Sequence, residues 1–190
     1  MLLLVGLGNP GSNSLNNRHD IGFKIIDAVN AHFKLSKQKP KFKGLLTTGN
    51  IESKKIYAIK PLTFMNNSGT AIKELIDYFK IDAKDVFVFH DDMDIDFGKI
   101  KAKFGGSSAG HNGIDSIDKF IGKDYSRVRI GIGHPKQKNK VNNHVLEDFK
   151  EDEEEKIKEI AENIVKLIPT LIEKKMDLFS SKVNQNLNGI

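Results

Sequence analysis

The chain contains no cysteine, and only five of its 190 residues are proline. The absence of cysteine excludes disulfide bonds and thiol catalysis. There is also no signal-peptide pattern and no apolar run long enough to span a membrane, so we expect a soluble, cytoplasmic protein with no membrane partner. The length is typical of one domain with a substantial core. We therefore expect a single domain over residues 1–190, in which residues 182–190 are frayed.

Arginine is scarce: the chain has 27 lysines and only three arginines, namely Arg18, Arg127 and Arg129. Because the guanidinium group is planar, forked and permanently charged, an arginine in a lysine-rich chain indicates a position that needs those properties. The lysines are concentrated in residues 34–60 and 99–140, whereas residues 147–155 are strongly acidic. This distribution favours a side of the molecule that faces a polyanion, and a solvated lysine-rich surface is the alternative.

Strand and helix patterns alternate along the chain. The predicted strands are residues 1–5, 42–49, 51–59, 86–89, 100–104 and 128–132, and the predicted helices are residues 20–34, 71–79 after a cap at Asn67 or Ser68, 113–121 and 151–175. Pro169 is expected to kink the last helix. This order predicts an α/β fold, a three-layer sandwich with a mixed, mostly parallel sheet flanked by helices.

The first strand ends in a glycine-rich stretch, residues 6–11, which reads G-x-G-x-x-G. This pattern occurs in dinucleotide-binding folds, where the last glycine opens a helix and an acid follows about 20 residues later. Here Pro10 removes a backbone N–H from the loop. The position about 20 residues later, where the pattern needs an acid, is Ala31, and it lies within a predicted helix. A sharp loop that presents Asn9 and His19 to a cleft is the preferred interpretation.

His19 and Asp91 form the predicted catalytic pair. A neutral histidine can take a proton from water, and a carboxylate on its other ring nitrogen fixes its tautomer and orientation. Asp91 follows the buried apolar run Val86–Phe89, at the end of a strand where ligand sites form in open α/β sheets. The alternative is that His19 only caps a helix.

The acidic stretch after His90 also suggests a metal-binding site. A calcium loop is excluded, because Phe97 and Lys103 stand where glycine and a bidentate glutamate are required. A two-metal phosphohydrolase built from His19–Asp20 and His90–Asp92 remains a low-specificity alternative.

Three amides complete the set of candidate site residues, namely Asn9, Asn66 and Asn112. An asparagine side chain both donates and accepts hydrogen bonds, so it can hold a water molecule or a peptide group without adding charge. There is no serine in a G-x-S-x-G nucleophile elbow. Neutral amides beside a histidine–carboxylate pair favour direct attack by water on an ester.

Six motifs carry a resemblance to a known family. In chain order they are residues 5–11 (VGLGNPG), Arg18-His19, residues 61–69 (PLTFMNNSG), His90-Asp91, residues 110–113 (GHNG) and residues 127–135 (RVRIGIGHP). Together they resemble bacterial peptidyl-tRNA hydrolase. The resemblance implies a monomeric esterase without metal, cofactor or obligate protein partner, which frees tRNA from peptidyl-tRNA released by stalled ribosomes.

The resemblance also implies residue roles. His19 would activate water, Asp91 would hold His19 in its basic form, and Asn9 would help distinguish N-blocked from free aminoacyl-tRNA. The residues implied to line the pocket for the acylated tRNA end are Phe64, Asn66 and Asn112. The residues implied to meet tRNA phosphates are Lys101, Lys103 and Arg129.

Three positions depart from the family pattern. Ser14, Asn17 and Asp20 stand where the family usually has tyrosine, threonine and asparagine. Ser14, at a substrate-binding position, removes an aromatic stacking surface, and Asp20 places a charge beside His19 that is expected to raise its pKa. An RNA-binding member of the fold without catalysis is the second hypothesis, and the intact His19 and Asp91 argue against it.

Overall fold

The computed structural model describes residues 1–11, 16–135 and 141–189. Its strands are β1 (Leu2–Gly6), β2 (Lys39–Lys41), β3 (Gly44–Ile51), β4 (Lys54–Pro61), β5 (Val86–Asp92), β6 (Ile100–Phe104) and β7 (Ser126–Gly131). They form one sheet in the order β2-β3-β4-β1-β5-β7-β6. The four central strands β4, β1, β5 and β7 are mutually parallel, whereas β3 and β6 run antiparallel to their neighbours.

Helices cover both faces of this sheet. They are α1 (Ile21–His32), α2 (Ser68–Phe79), α3 (Asn112–Ile121), α4 (Val141–His144), α5 (Glu151–Ile172) and α6 (Met176–Leu187). One hydrophobic cluster joins the sheet to α1, α5 and α6, and a second cluster joins it to α2 and α3. The predicted α/β sandwich with a mixed sheet is confirmed.

The central strands are buried on both faces. In β1, Leu2 and Leu4 belong to one cluster, while Leu3 and Val5 belong to the other. Successive side chains of a strand point to opposite faces, so an unbroken apolar run is what a doubly covered strand requires. The same reason explains the apolar run in β5, which the sequence analysis assigned correctly.

Two features of the fold differ from the sequence-based predictions. Residues 182–190 were expected to be frayed, but α6 continues to Leu187 and buries Phe179, Val183 and Leu187. The expectation failed because the mean hydropathy of this segment is low and its apolar residues are widely spaced. The second difference is the short edge strand β2, which was not predicted. Pro169 lies within α5, which is assigned as one helix. Within the described ranges, no helix combines the length and apolar character needed to cross a membrane.

A close approach between two glycines places the start of α1 against the sheet. A Cβ on Gly6 would lie 2.2 Å from the carbonyl oxygen of Gly22, and a Cβ on Gly22 would lie 2.3 Å from the Leu7 nitrogen. These separations are too short for any side chain, so both positions require glycine. Residues 7–11 are not helical, and the first α-helix within the described ranges begins at Ile21, whereas a dinucleotide fingerprint needs its last glycine to open a helix.

Candidate active site

The site lies at the carboxyl ends of β1 and β5. His19 belongs to a short 3-10 turn, Arg18–Asp20, that leads directly into α1. The backbone N–H of His19 donates to the carbonyl oxygen of Val145 at 2.8 Å. Asp91 is the penultimate residue of β5, which lies between β1 and β7 in the sheet. The close approach of Gly6 and Gly22 therefore brings the side chains of His19 and Asp91 together, although the two residues are 72 positions apart in the sequence.

Two imidazole rings converge on one carboxylate oxygen of Asp91. Nδ1 of His19 lies 2.7 Å from Oδ1 of Asp91, and Nε2 of His111 lies 2.9 Å from the same oxygen. Asp91 is 2% exposed and His19 is 7% exposed, so both contacts are screened from bulk water. The predicted His19–Asp91 pair is therefore present in the structure. His111, which the sequence analysis quoted in a motif but did not assign to the site, is its third member.

The hydrogen bonds define where the protons are. Nδ1 of His111 accepts from the backbone N–H groups of Gly113 and Ile114 and caps α3. Its single proton must therefore be on Nε2, where it is donated to Asp91. His19 donates from Nδ1 to the same carboxylate, which leaves the Nε2 lone pair of His19 available as a base.

Burial and charge act in opposite directions on this pair. Burial alone lowers the pKa of His19, but the attraction of Asp91, its hydrogen bond and the nearby charge of Asp20 raise that pKa above its ordinary value. Burial alone raises the pKa of Asp91, but the attraction of His111 and His19 holds it well below its ordinary value. Asp91 therefore stays ionised and supports the imidazolium form of His19.

The neighbouring His90 is not available as a base. Its Nδ1 donates to the carbonyl oxygen of Asp91 at 2.8 Å, and its ring is 3% exposed. Burial, together with the nearby His111, lowers the pKa of His90 to about 3. His90 is therefore neutral at physiological pH and packs against His111, with ring centroids 4.9 Å apart.

The geometry does not favour a metal. Ligand atoms of His19, Asp91 and His111 lie within 4.8 Å of one another, as in many metal sites. However, a metal on Nε2 of His111 would require loss of the proton that its capping role places there. The two-metal alternative would also use Asp20 and Asp92. In the structure, however, Asp20 accepts a hydrogen bond from the backbone N–H of Asn9, and Asp92 pairs with Arg129. Those carboxylates are engaged in other contacts and do not converge with the histidines.

Two cavities meet at His19. One, of about 110 Å³, is bounded by His19, Asp91 and the loop around Gly110. The other, of about 300 Å³, is lined by the three predicted pocket residues, Phe64, Asn66 and Asn112, and by Asn9. Phe64 is 78% exposed, which is unusual for a phenylalanine and leaves its ring open to a ligand. The predicted pocket residues thus lie around one opening beside His19.

The predicted phosphate-binding residues lie on the neighbouring strand pair. In the β6–β7 ladder, Lys101 is opposite Arg129 and Lys103 is opposite Arg127. Burial and the adjacent Arg129 and Arg127 lower the pKa of Lys103, as expected within a cluster of positive charge. Arg129 also donates from Nε to Asp92 at 2.7 Å. Its guanidinium group is therefore partly committed to an internal ion pair.

The other two arginines stabilise the structure internally. Arg18 is 4% exposed; its Nη1 donates to the carbonyl oxygen of Asp148 at 2.5 Å, and its Nη2 donates to both carboxylate oxygens of Glu153 at the start of α5. Arg127 is 1% exposed and donates to Asp118 and to the carbonyl oxygen of Ser107. The few arginines do mark positions where a forked cation is used, as predicted, but two of the three, Arg18 and Arg127, are buried and contact other parts of the protein. Ser14, predicted at a substrate-binding position, lies outside the described residues.

Comparison with known proteins agrees with the motifs. Residues 3–189 match the family model described as peptidyl-tRNA hydrolase. The chain is 72% identical over 184 residues to the peptidyl-tRNA hydrolase of Pelagibacter ubique, covering 97% of this chain and 99% of that protein. It is 44% identical over 189 residues to the enzyme of Bartonella henselae, covering 100% and 98%. The crystal structure of peptidyl-tRNA hydrolase from Acinetobacter baumannii superposes with a TM-score of 0.89 at 32% identity, covering 97% and 94%. The chain belongs to the peptidyl-tRNA hydrolase family.

Proposed function

We propose that this protein hydrolyses the ester that joins a peptide to the 3′ end of tRNA, and so recycles tRNA from peptidyl-tRNA released by stalled ribosomes. The observation that carries this proposal is the His19–Asp91–His111 hydrogen-bond chain, which leaves one basic nitrogen beside an amide-lined cavity. Family membership supplies the substrate class. We place this activity in the cytoplasm, carried out by a monomer without metal or cofactor.

His19 is the general base in this proposal. Nε2 takes a proton from a water molecule as the water oxygen bonds to the ester carbonyl carbon. Asp91 stabilises the imidazolium that forms, because it accepts the Nδ1 proton and remains ionised. When the carbon–oxygen bond to the ribose breaks, the ribose oxygen takes the proton from Nε2. Water is consumed, and the products are deacylated tRNA and a peptide carboxylic acid, which ionises by releasing its proton to solvent.

The amides bind the acyl part of the substrate. Asn66 and Asn112 side chains can donate to the carbonyl oxygen, where negative charge develops in the tetrahedral intermediate. Asn9 can donate to and accept from the neutral amide of an N-blocked residue. An unblocked aminoacyl-tRNA would instead bring an ammonium group, which loses hydration on entry. The enzyme should therefore hydrolyse N-acetyl-aminoacyl-tRNA much faster than the unblocked form.

The tRNA body lies over β6 and β7. Lys101, Lys103 and Arg129 share one face of this ladder, and Arg129 pairs with Asp92, which lines the smaller His19 cavity. Strand neighbours two residues apart point to the same side, so these cations can follow one phosphate backbone.

A single assay with two substrates tests this function. N-acetyl-aminoacyl-tRNA and the same aminoacyl-tRNA without the acetyl group are incubated with the protein, each with and without EDTA. We expect rapid release of tRNA from the blocked substrate, slow release from the free one, and no effect of EDTA. Turnover that requires added metal would support the phosphohydrolase instead. Binding without turnover would support an RNA-binding protein that lacks catalysis.

A further inference from the structure

His111 and Asn112 reach the site at the end of a largely exposed loop, residues 105–110, which connects β6 to α3. The loop reads Gly-Gly-Ser-Ser-Ala-Gly. Its residues with positive φ are Gly105, Gly106, Ala109 and Gly110. A chain of this composition has many accessible conformations, and fixing one of them costs conformational entropy. The position of the two site residues therefore requires contacts from outside the loop.

One hydrogen bond attaches the middle of this loop to the sheet. Nη1 of Arg127, on β7, donates to the carbonyl oxygen of Ser107 at 2.9 Å. Within the described ranges, the other hydrogen bonds of residues 106–110 stay inside the segment 106–111. The path of the loop relative to the sheet therefore depends on Arg127.

The same guanidinium group also holds the helix that follows the loop. Nη2 of Arg127 donates to Oδ1 of Asp118, on α3, at 2.7 Å. His111 and Asn112 lie between Ser107 and Asp118 in the sequence, so Arg127 binds the chain on both sides of them. The two Nη groups belong to one rigid, planar fork. This fork fixes the loop and α3 together against β7.

The surroundings of the fork leave it little freedom. Arg127 is 1% exposed, and its guanidinium carbon lies 4.6 Å from the centroid of the Tyr125 ring. The Tyr125 hydroxyl donates to the same Asp118 oxygen at 2.8 Å. Nε of Arg127 is buried without a hydrogen-bond partner among the residues that the structure describes. A buried donor without an acceptor is costly, so this arrangement gives up one hydrogen bond while both Nη groups are placed.

The catalytic carboxylate is sensitive to where the loop ends. The His111 ring caps α3 through Nδ1 and donates from Nε2 to Oδ1 of Asp91 at 2.9 Å. A side-chain hydrogen bond is lost beyond about 3.5 Å, so a shift of about 1 Å at His111 would break this contact. The same shift would move Asn112, which lines the larger His19 cavity.

We propose that Arg127 is a positioning residue for catalysis, whose fork joins Ser107 to Asp118 and thereby holds His111 against Asp91 and Asn112 at the substrate cavity. This inference rests on the proposed function. Arg127 acts on the reaction only through the loop and α3. A lysine at this position would keep the charge, but its single nitrogen cannot reproduce the two diverging hydrogen bonds of the fork.

Arg127→Lys separates the fork from the charge. With N-acetyl-aminoacyl-tRNA as substrate, we expect kcat to fall about 10²-fold, because small displacements of catalytic groups and loss of one oxyanion donor have effects of this size. KM should change little, because the positive charge is retained and Lys101 and Lys103 remain on β6. Steady-state kinetics on folded protein, checked by thermal melting, measure both.

NMR of the protein with ¹⁵N-labelled histidine tests the same claim without substrate. In the natural protein, the hydrogen-bonded protons on His19 Nδ1 and His111 Nε2 should each give a resonance, because their bonds to Asp91 slow exchange with water. Arg127→Lys should remove the His111 resonance and retain that of His19. Failure of the natural protein to hydrolyse N-acetyl-aminoacyl-tRNA would contradict the proposed function, whereas the His111 resonance tests the role of Arg127 separately.

Tyr125→Phe is the matched control, because it removes a hydrogen bond to Asp118 and leaves both Nη contacts in place. It should lower the melting temperature and leave kcat and the His111 resonance unchanged. If Arg127→Lys does not fold, Arg127→Gln with Asp118→Asn replaces it, since this pair leaves no unpaired buried charge and should show the same loss of kcat. A retained His111 resonance with the natural kcat, or an equal loss of kcat in Tyr125→Phe, would overturn the proposal.

Discussion

His19 takes part in two kinds of contact that have separate consequences. Its ring contacts Asp91, which sets its basicity, while its backbone N–H is held by Val145. The backbone contact fixes the position of the ring without affecting its charge. Replacing the ring should therefore remove chemistry while leaving the local chain path in place.

Asp91→Asn should reveal the electrostatic part of the pair. The asparagine loses the negative charge that favours the imidazolium, so the pKa of His19 falls. The acidic limb of the kcat/KM profile should move to lower pH, and the plateau rate should fall because the ring is less well oriented. A pH–rate series on N-acetyl-aminoacyl-tRNA measures both. A wild-type plateau with an unmoved acidic limb would show that the pair has no role in catalysis.

Asp20 should also affect stability, with a defined dependence on pH. Its pKa is about 6 in the folded protein, against 3.8 as its ordinary value. The folded state thus binds this proton more tightly, and ionisation destabilises it progressively between pH 4 and 6, by about 3 kcal/mol in total. Asp20→Asn removes this cost and should raise the free energy of unfolding at pH 8 relative to pH 4. Urea unfolding of both proteins at pH 4 and pH 8 measures this change in the free energy of unfolding. An identical pH dependence in the two proteins would contradict the raised pKa of Asp20.

At the scale of elements, the site depends on how α1 meets β1 and β5. Gly22 lies in the first turn of α1, where a Cβ would be 2.3 Å from the Leu7 nitrogen and 2.4 Å from the Phe89 oxygen. Both neighbours are backbone atoms, one directly after β1 and one within β5, and they cannot move without disturbing the sheet. The position of His19 is therefore coupled to the packing of α1.

Gly22→Ala should destabilise the protein and impair catalysis together. Overpacking of this kind costs roughly 1–3 kcal/mol, and the displaced helix start would carry His19 away from Asp91. We expect a lower urea midpoint and a reduced kcat, with tRNA binding less affected. A variant with the stability and rate of the natural protein would show that α1 adapts without moving His19.

The order of elements was predictable because the signals are local. Apolar runs such as Val86–Phe89 and helical spacing such as Ile157–Leu171 depend only on neighbouring residues. The site pair His19–Asp91 was predictable because strand ends in an open α/β sheet gather at one edge. The convergence of His111 on Asp91, and the internal ion pairs of Arg18 and Arg127, depend on distant contacts and were missed.

At the scale of the whole molecule, positive charge is divided between two margins of the sheet. Lys101 and Lys103 lie on β6, while Lys37 and Lys39 lie at or beside the opposite edge strand β2 and are exposed. The two pairs have equal charge and similar spacing. They therefore provide matched variants that distinguish where tRNA binds.

Replacing Lys101 and Lys103 together by glutamine should weaken tRNA binding and flatten its dependence on salt. Each lost phosphate contact reduces the slope of log Kd against log salt by about 0.9. The matched pair Lys37→Gln with Lys39→Gln should leave the slope unchanged. Arg129 is unsuitable for this test because its loss would also unpair Asp92. The reverse result would place tRNA on the β2 edge and contradict the proposed binding surface on β6 and β7.

The central claim is that His19 removes a proton from the attacking water, and one measurement tests it directly. His19→Ala and the natural protein are compared for hydrolysis of N-acetyl-aminoacyl-tRNA in EDTA, with tRNA affinity and thermal melting measured on the same samples. A positioned general base contributes about 10²–10⁴-fold to a rate, so we expect a loss of that size with affinity and melting nearly unchanged. A variant that binds and melts normally and retains its rate within a few-fold would contradict the mechanism.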